Sequence, residues 1–472
     1  MFAILLHFGV TLVVSAHILL RRHRLPETRV AWLLIVLGLP YLGALAYLLL
    51  GQTSIGKARI RAMQRVMAAL PRPEYAAPKA DVALPGQARG LLQVGQSISG
   101  YGPVGGNRMQ LMADSDSAIN AMVADIDAAT DHVHLVFYIW LDDGNGRKMA
   151  EAVMRAARRG VACRVMVDDI GSRKFTRTDL WRQMAAAGAQ TRTALPVGNP
   201  LLRMLNGRID LRNHRKVLVI DDSVTYCGSQ NCADPAFLPK ARFGPWVDVV
   251  MRLTGPVVRQ NQHLFACDWM GNGGDDVTGI LRRSQPAPGA GFVAQVVATG
   301  PTYRDAAMPE MFTSLIFAAR SSLFITTPYY VPTQAVQAAI CSAAYRGVEV
   351  TILFPARNDD LAVGAASRSH YEGLLDAGVR VFEFQPGLLH AKTLTMDGEL
   401  ALIGSANMDR RSFDLNYENN ILLADAAATT ALRARQEEFL GQSRQISAAE
   451  VAAWGPVRRL VNNALAIMGP VL

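Results

Sequence analysis

The feature that most constrains the fold of this chain is a pattern of polar residues that occurs twice. The stretch NHRKVLVIDDSVTYCGSQN ends at Asn231, and the stretch LHAKTLTMDGELALIGSAN ends at Asn407. Each places His, Lys, Asp, Gly, Ser and Asn at the same intervals, whereas the apolar residues between them mostly differ. Such a match recurs by chance with a probability on the order of one in a hundred thousand at ordinary composition. The repetition therefore indicates two related domains.

The elements around the two stretches also repeat in the same order. Each copy has an apolar β-rich run, an alanine-rich helix that ends near a Gly, a second apolar run and a second helix. The paired runs are HVHLVFYIW with SLFITTPYYV, and CRVMVDD with EVTILFP. Strands that alternate with helices predict an α/β fold of βαβ units with a largely parallel sheet. The period of about 180 residues exceeds that of solenoids, so we expect two tandem domains packed as a pseudo-dimer.

Composition divides the chain into five regions. Residues 71–100 are rich in Pro, Gly and Ala, and the segments GNGGDD and SQPAPGAGF separate the two repeats. The predicted regions are a two-helix transmembrane hairpin (1–51), a basic amphipathic segment and linker (52–100), the first repeat domain (101–275), a linker (276–300) and the second repeat domain (301–472).

The amino-terminal region contains two long apolar runs. Phe2 to Leu20 and Val30 to Gly51 carry no formal charge, and each run is long enough to cross a hydrocarbon core of about 30 Å. A cleaved signal peptide is the alternative for the first run, but no basic stretch precedes it and a second apolar run follows at once. The pattern therefore predicts an α-helical transmembrane hairpin, which places the amino terminus and the large domain on the same side.

The charge and the cysteines favour a lipid surface and a reducing compartment. The formal charge of +9 favours anionic partners such as nucleic acid or an acidic membrane surface, and the apolar runs favour the membrane. Arginines in the hairpin loop balance the basic residues after the second run, so the positive-inside rule does not decide the orientation. The five cysteines are scattered without a C-x-x-C pair, which is typical of reduced thiols in the cytoplasm.

Two further segments have amphipathic patterns. Residues 55–70 place Lys57, Arg61 and Arg65 on one face and apolar residues on another, which predicts a basic amphipathic helix. The segment VAAWGPVRRLVNNALAIMGPVL at the carboxy terminus combines Trp454 and two arginines with apolar neighbours. Each segment is expected either to rest on the bilayer surface or to pack on the globular domain.

The repeated polar residues form a candidate site for a phosphoryl group. The strand-like alternation of KVLVID and KTLTMD places His and Lys on the same face, and the Gly-Ser pair allows the backbone to approach a ligand closely. Lys would act as a point charge, while Ser and Asn would donate hydrogen bonds to phosphate oxygens. The fixed residues are His214, Lys216, Asp221, Gly228, Ser229 and Asn231 in the first copy, and His390, Lys392, Asp397, Gly404, Ser405 and Asn407 in the second.

Two facing copies would supply two imidazoles. One can attack phosphorus while the other protonates the leaving alkoxide, and the proton-transfer role reverses in the second step. A metal site is disfavoured because a lysine lies beside each histidine and no carboxylate or thiolate cluster has zinc spacing. No metal or other cofactor is therefore expected. The other histidines considered, His132, His134, His7 and His17, are interpreted as structural.

The paired motif resembles that of the phospholipase D superfamily, and other segments resemble its bacterial cardiolipin synthases. These segments include AWLLIVLGLPYLGALAYLLLG, FYIW, DDIGS, NHRK, WVDVVMRLTGPVV, TPYYVPT and GSANMDRRSFDLNYENN. The resemblance runs from about residue 30 to the end of the chain. The continuation QNCADPAF and the arginine-rich hairpin loop depart from the family pattern without touching a motif position.

The resemblance implies an activity and a role for each motif residue. A phosphatidyl group would pass from one phosphatidylglycerol to the hydroxyl of another, which releases glycerol and forms cardiolipin. It implies a phosphohistidine at His214, with His390 as general acid and then base, and no metal or nucleotide in that step. Asp221 and Asp397 belong to the catalytic motif but are expected to brace the local fold. The phosphate-binding residues would be Lys216, Lys392, Ser229, Ser405, Asn231 and Asn407, and the histidine-orienting carboxylates Asp248 and Glu418.

Several alternatives remain at the level of sequence. The acceptor could be water, which would make the protein a membrane-anchored hydrolase, or another alcohol, and phosphatidylethanolamine could be the donor. Nucleases share the two-histidine site, but the apolar runs favour lipid over nucleic acid. A lipid-binding scaffold with a lapsed site would have lost a motif residue, and none is missing. For the preferred function we expect a multi-pass protein of the bacterial inner membrane with its catalytic domain in the cytoplasm, and the sequence does not predict the oligomeric state.

Overall fold

The computed structural model describes residues 2–21, 26–51, 56–73, 84, 86–198, 208, 210–285 and 289–467. Parts of the predicted hairpin loop (22–25) and of the predicted linkers (74–83 and 286–288) lie outside the described residues. In chain order the helices are α1 (Phe2–Leu20), α2 (Pro26–Gly38), α3 (Pro40–Leu50), α4 (Lys57–Ala69), α5 (Ala88–Ser99), α6 (Ser115–Ala128), α7 (Gly144–Arg158), α8 (Asp179–Ala186), α9 (Val257–Gly271), α10 (Thr278–Leu281), α11 (Ala307–Ala318), α12 (Gln334–Tyr345), α13 (Leu361–Ser369), α14 (Tyr371–Asp376), α15 (Arg410–Asp414), α16 (Ala426–Leu440), α17 (Ala448–Ala452) and α18 (Pro456–Ile467). The strands are β1 (Val104–Leu111), β2 (His132–Phe137), β3 (Ala162–Asp168), β4 (Gln190–Ala194), β5 (Lys216–Ile220), β6 (Val224–Gly228), β7 (Trp246–Val247), β8 (Val250–Thr254), β9 (Phe292–Thr299), β10 (Ser322–Thr326), β11 (Glu349–Pro355), β12 (Arg380–Phe384), β13 (Leu388–Leu389), β14 (Thr393–Met396), β15 (Leu400–Gly404), β16 (Glu418–Ala424) and β17 (Ser443–Ile446).

One continuous mixed sheet carries both repeats. Its order from edge to edge is β17-β12-β11-β10-β14-β15-β16-β9-β1-β8-β6-β5-β2-β3-β4. The order is symmetric about the antiparallel pair of β9 and β1, because every first-repeat strand of this sheet has a counterpart equally far from that pair. The prediction of two tandem α/β repeats is confirmed, and the repeats join through their central strands.

The prediction of a largely parallel sheet is wrong. Within the described sheet, parallel pairing is confined to β2–β3–β4 and β10–β11–β12, where helices connect the strands. The other ladders are antiparallel. The motif strands explain the difference: β5 and β6, like β14 and β15, are joined by tight turns, which return the chain antiparallel.

The motif aspartates hold these two turns. Asp221 and Asp397 have φ angles of 50° and 54°, in the left-handed region that L-residues adopt at a cost. The Asp221 carboxylate accepts hydrogen bonds from the backbone N–H groups of residues 130–132, and the Asp397 carboxylate accepts them from residues 320–322. Each aspartate thus ties its turn to the start of the neighbouring strand, β2 or β10.

Both predicted linkers contain regular structure. Helix α5 lies within the predicted linker 71–100 and packs Leu91 and Leu92 into the core of the second repeat. The predicted linker 276–300 includes β9, the strand through which the second repeat meets the first. The Pro-, Gly- and Ala-rich composition of residues 71–100 predicted a linker despite the helical spacing of Leu91, Leu92 and Ile98, and β9 directly follows a Pro- and Gly-rich segment.

The second apolar run forms two helices instead of one. Helix α2 ends at Gly38 and α3 begins at Pro40, with Leu39 in a non-helical conformation between them. Proline lacks an N–H group, and its ring clashes with the carbonyl group four residues earlier, so the helix breaks there. Among the residues that the structure describes, no helix combines the length and the hydropathy needed to cross a membrane.

The two amphipathic segments pack on the globular domain. Helix α4 lies against α9, and its Met63 is buried beside Leu195 and Tyr417. Helix α18 lies against α13 and buries Asn462, while Val457 and Leu460 remain exposed. Of the two arrangements expected for α4, the structure therefore shows packing on the globular domain. Helix α18 packs on one face and presents apolar residues to solvent on another.

A substitution at Asp221 should separate structural from catalytic importance. Asp221→Ala removes the acceptor of three backbone hydrogen bonds, so we expect a loss of about 1–3 kcal/mol in the free energy of unfolding. Thermal and denaturant unfolding would measure the loss. Asp221→Asn is the matched control, because asparagine keeps one acceptor oxygen and tolerates the left-handed conformation. A stable Asp221→Ala protein without activity would contradict the bracing role.

Candidate active site

A cavity of ≈ 740 Å³ lies between the two repeats, and both motif histidines line it. His214 lies just before β5, and His390 lies just before β14. Asn231 and Asn407, which follow β6 and β15, line the same cavity. The structure therefore brings residues from the two copies of the motif together at one site.

A short backbone ladder between the repeats positions His214. The Tyr417 N–H donates to the Arg212 carbonyl oxygen at 2.9 Å, and the His214 N–H donates to the Tyr417 carbonyl oxygen at 3.0 Å. Tyr417 directly precedes Glu418, which begins β16 of the second repeat. The ladder thus places His214 of the first repeat next to Glu418 of the second.

A matching ladder positions His390. Strand β13 pairs in parallel with β7, and the His390 N–H donates to the Val247 carbonyl oxygen at 2.7 Å. Val247 directly precedes Asp248. His390 of the second repeat is therefore next to Asp248 of the first, so the two histidine–carboxylate pairs are crossed between the repeats.

Each carboxylate fixes its histidine through Nδ1. His214 Nδ1 lies 3.0 and 2.9 Å from the two carboxylate oxygens of Glu418, and His390 Nδ1 lies 2.7 Å from Asp248 Oδ1. Because an ionised carboxylate only accepts hydrogen bonds, Nδ1 must carry the proton. The Nε2 atom of each neutral imidazole is then the ring nitrogen with a free lone pair.

Burial and charge set the protonation states of these pairs. Burial lowers the pKa of His214 and that of His390 to about 4, against the attraction of their carboxylates. Burial by itself would raise the pKa of Asp248, but the attraction and hydrogen bond of His390 lower it to about 2. The pKa of Glu418 is lowered in the same way by His214. At neutral pH both imidazoles are therefore neutral and both carboxylates are ionised.

The motif lysines lie behind the histidines. Lys216 Nζ donates to the His214 carbonyl oxygen at 2.7 Å, and Lys392 Nζ donates to the His390 carbonyl oxygen at 2.5 Å. Burial lowers the pKa of Lys216 to about 8 and that of Lys392 to about 7. Each lysine therefore lies beside its own histidine. Because burial disfavours its positive charge, a negatively charged ligand would stabilise it.

The motif serines hydrogen-bond to the orienting carboxylates, and the motif glycine Gly228 makes room for the neighbouring strand. A Cβ atom on Gly228 would lie 2.2 Å from the Val249 carbonyl oxygen, so this glycine allows close approach between strands. The Ser229 hydroxyl donates to Asp248 at 2.6 Å, and the Ser405 hydroxyl donates to Glu418. The serines were predicted to donate hydrogen bonds to phosphate. In the structure their hydroxyl groups donate hydrogen bonds to the orienting carboxylates.

The motif asparagines lie at the cavity and the motif aspartates do not. Asn231 Oδ1 accepts a hydrogen bond from the Ile139 N–H, which leaves its NH₂ group as the donor for a ligand. Asn407 Nδ2 lies 3.4 Å from the Asp409 carboxylate. Asp221 and Asp397 remain in their turns, at the far end of strands β5 and β14 from the histidines. Among the described residues, no three His, Cys, Asp or Glu side chains form a group able to hold a metal ion.

Aromatic residues beside the histidines were not predicted as site residues. The ring of Tyr138 lies 4.9 Å from that of His214, and Trp246 lies 4.6 Å from His390. Tyr329 is 6.5 Å from His390 and donates a hydrogen bond to Asp359. The aromatic run FYIW begins at the last residue of β2, and TPYYV directly follows β10, the equivalent strand of the second repeat. This placement is the sequence signal for these tyrosines.

Comparison with protein families agrees with the fold and the motif. A family model described as cardiolipin synthase, PLD-like domain, matches residues 122–242 and 312–440, which hold the two motifs. A model described as phospholipase D-nuclease N-terminal matches residues 9–52. The two-repeat fold and the paired motif define a protein of the phospholipase D class.

Individual relatives narrow the assignment. Cardiolipin synthase A of Erwinia tasmaniensis is 36% identical over 99% of this chain and 98% of its own. Cardiolipin synthase A of Serratia proteamaculans is 36% identical over 99% of this chain and 96% of its own. The crystal structure of phosphatidylserine synthase from Haemophilus influenzae Rd KW20 has the same fold, with a TM-score of 0.60 and 14% identity over 82% of this chain and all of that one. The chain belongs to the cardiolipin synthase family, which confirms the resemblance seen in the sequence.

Amide substitution of the two orienting carboxylates should test the crossed pairs. Glu418→Gln and Asp248→Asn keep the side-chain volume but remove the charge that fixes the Nδ1–H tautomer, so we expect phospholipid turnover to fall by about 10²–10⁴-fold. Turnover per folded protein would be measured with purified variants, and circular dichroism would report folding. Glu383→Gln is the matched control, because Glu383 is buried outside the cavity. Full turnover by either folded site variant would contradict an orienting role.

Proposed function

We propose that the protein is a cardiolipin synthase that joins two molecules of phosphatidylglycerol through a phosphohistidine. The observation that carries the proposal is the pair of imidazoles at one cavity, each held by a carboxylate from the other repeat. Membership of the cardiolipin synthase family supports the choice of lipid and acceptor. The enzyme is thus assigned as a phosphatidyltransferase.

The first step forms the covalent intermediate. His214 Nε2 attacks the phosphorus of the donor lipid, and the bond between phosphorus and the glycerol headgroup oxygen breaks. Protonated His390 donates its proton to the departing alkoxide, and free glycerol leaves. Without substrate the pKa of His390 is about 4. The negative charge of the bound phosphodiester raises this pKa, which favours the protonated form that acts as the acid.

The second step transfers the phosphatidyl group. His390, now neutral, accepts the proton of a hydroxyl group on the second phosphatidylglycerol, and the hydroxyl oxygen attacks phosphorus. The phosphorus–nitrogen bond to His214 breaks, cardiolipin is released, and both imidazoles return to their starting states. The sequence resemblance supports this assignment of the two roles, although the His–carboxylate pairs are nearly equivalent in geometry.

Positive charge and amide donors stabilise the phosphoryl oxygens. Lys216 and Lys392 are buried beside the histidines of opposite repeats, with pKa values that burial lowers to about 8 and about 7. The negative phosphate raises these pKa values and so keeps both side chains charged. Asn231 lines the cavity, and its NH₂ group is not used in the hydrogen bond to Ile139. Asn407, the equivalent residue of the second repeat, lines the same cavity. Ser229 and Ser405 act one step back, because their hydroxyl groups hold the carboxylates.

The products of the purified enzyme test this function. Full-length protein in detergent with phosphatidylglycerol should form cardiolipin and glycerol in equal amounts, as lipid chromatography and a glycerol assay would measure. His214→Ala and His390→Ala should each abolish both products, since each step needs both imidazoles. His263→Ala is the matched control, because this buried histidine does not line the cavity. Phosphatidic acid as the sole lipid product would make the protein a hydrolase, and cardiolipin from either site variant would overturn the two-histidine mechanism.

We further propose that residues 1–51 hold the enzyme at the cytoplasmic face of the bacterial inner membrane as a helical hairpin. Helices α1 to α3 pack through Trp32, Val36 and Tyr47. Their outer surface exposes large apolar side chains, among them Leu12 and Leu34. Such a surface is stable in lipid and costly in water. The match of residues 9–52 to the amino-terminal family model supports a shared role for this segment.

Extraction and labelling test the membrane attachment. The full chain should remain with membranes after alkaline carbonate, whereas a chain without residues 1–51 should be released more readily. Cys341 is partly exposed while the other four cysteines are buried, so a thiol reagent reports its location. In intact cells Cys341 should react with a membrane-permeant maleimide and not with an impermeant one. Carbonate release of the full chain, or labelling by the impermeant reagent, would contradict the proposal.

A further inference from the structure

The cavity is symmetric at the histidines but differs around them. Arg212 and Arg411 line the cavity on the side of His214. When the repeats are aligned on their motifs, Leu388 stands at the position of Arg212, and Pro235 stands at the position of Arg411. The two arginines therefore have no counterparts at the matching positions beside His390, which makes the two sides of the cavity chemically different.

The fold brings the two arginines together from different repeats. Arg212 is paired with Tyr417 by a backbone hydrogen bond of 2.9 Å, and Arg411 lies in the short helix just before Tyr417. Arg212, Arg411 and Tyr138 line the same cavity, and the two arginine charges oppose the rise in the Tyr138 pKa that burial and Asp168 cause. Tyr138 in turn lies against the ring of His214. The arginine pair is thus adjacent to the reacting centre.

Buried and partly buried carboxylates hold the arginines in place. Arg411 Nη1 and Nη2 donate to the side chain and the carbonyl oxygen of Asp210 at 3.0 and 2.8 Å. Arg212 Nη1 lies 3.4 Å from Asp168, which is fully buried. Side chains held in this way lose little further freedom when they bind a ligand, so the site is preorganised.

The opposite side of the cavity, beside His390, has a different lining. Trp246 covers His390, and the buried carboxylate of Asp359 accepts hydrogen bonds from Tyr329 and Lys240. Asp360 also lines this part of the cavity. A second negative group would meet an aromatic ring, the Asp360 carboxylate and the Lys240–Asp359 ion pair there. On the side of His214 it would meet two guanidinium groups, which can each bind phosphate through two hydrogen bonds.

The proposed reaction brings two phosphodiesters into one cavity. The phosphate of the donor lipid occupies the histidine and lysine centre, while the acceptor phosphatidylglycerol carries a phosphate of its own. Three glycerol carbons separate that phosphate from the hydroxyl oxygen that reacts, so the two phosphates need separate binding sites. Arginine is suited to this task because its planar guanidinium can bind phosphate through two parallel hydrogen bonds.

We propose that Arg212 and Arg411 form the binding site for the phosphodiester of the acceptor lipid. The inference rests on the proposed function, since it assigns the acceptor subsite of that reaction. The subsite selects an alcohol that carries a phosphate over water or a neutral alcohol. It therefore favours cardiolipin formation over hydrolysis without taking part in the first chemical step.

Competition between a neutral and a phosphorylated acceptor tests the subsite. Full-length enzyme would receive phosphatidylglycerol with ethanol, so that cardiolipin and phosphatidylethanol form from the same phosphohistidine. Ethanol carries no phosphate and does not need the arginines. Arg411→Gln should lower the ratio of cardiolipin to phosphatidylethanol by about tenfold, which corresponds to the loss of one charge-assisted hydrogen bond.

A second variant and a control make the test independent of folding. The Arg411 side chain is 38% exposed, so Arg411→Gln should fold, whereas Arg212→Gln disturbs a buried pair. Arg411→Lys should partly recover the ratio of cardiolipin to phosphatidylethanol, because lysine restores the positive charge but not the planar guanidinium group. Arg282→Gln, at an exposed arginine outside the cavity, should keep the original ratio. Radiolabelled glycerol 3-phosphate should also outcompete radiolabelled glycerol as acceptor in the parent enzyme and lose that advantage in Arg411→Gln.

The outcomes separate the two proposals. An unchanged product ratio in Arg411→Gln would overturn the acceptor subsite. If both products fell equally, the result would also place the arginines in the first transfer step. A parent enzyme that forms phosphatidylethanol but no cardiolipin would instead overturn the proposed cardiolipin synthase function.

Discussion

The site depends on hydrogen bonds that cross from one repeat to the other. His214 is oriented by Glu418, and His390 is oriented by Asp248, so neither histidine has its carboxylate within its own repeat. The backbone ladders beside Tyr417 and Val247 enforce this exchange, because each histidine N–H is bonded to the residue just before the partner carboxylate. A single repeat would have an unoriented imidazole and an unpaired buried carboxylate. The continuous sheet through β9 and β1 is therefore a condition for the chemistry as well as for stability.

The sequence predicted the parts of this arrangement that repeat and missed those that depend on contacts between the copies. The spacing of His, Lys, Asp, Gly, Ser and Asn was enough to predict two domains with one site, and the family resemblance pointed to Asp248 and Glu418. The crossing of the pairs was not predictable, because it arises from ladders between residues about 140 and 200 positions apart. The serines were assigned to phosphate for a similar reason: a hydroxyl donor is visible in a sequence, but the carboxylate that takes its proton is not.

The errors in the fold predicted from the sequence have local causes. Alternation of strands and helices predicted a parallel sheet, yet the motif itself encodes a hairpin, since Asp221 and Asp397 adopt left-handed turns between two strands. The apolar run from Val30 to Gly51 is uniform in hydropathy, so its length suggested one helix, and the effect of Pro40 was overlooked. Helix α5 was predicted as a linker because residues 71–100 are rich in Pro, Gly and Ala, although Leu91 and Leu92 are buried in the core of the second repeat.

Duplication and divergence account for different properties of the cavity. The duplicated residues provide two ionised carboxylates, two neutral imidazoles and two buried lysines, so the empty centre is close to electrically balanced. A phosphodiester adds one negative charge, which favours a proton on one imidazole and keeps both lysines charged. This coupling lets substrate binding create the general acid, although the free histidines have a pKa near 4. The diverged residues, Arg212 and Arg411 beside His214 and Trp246 beside His390, break the symmetry of this balanced centre. A symmetric site could attack a donor lipid from either side, and only such asymmetric surroundings can give the donor and the acceptor different places.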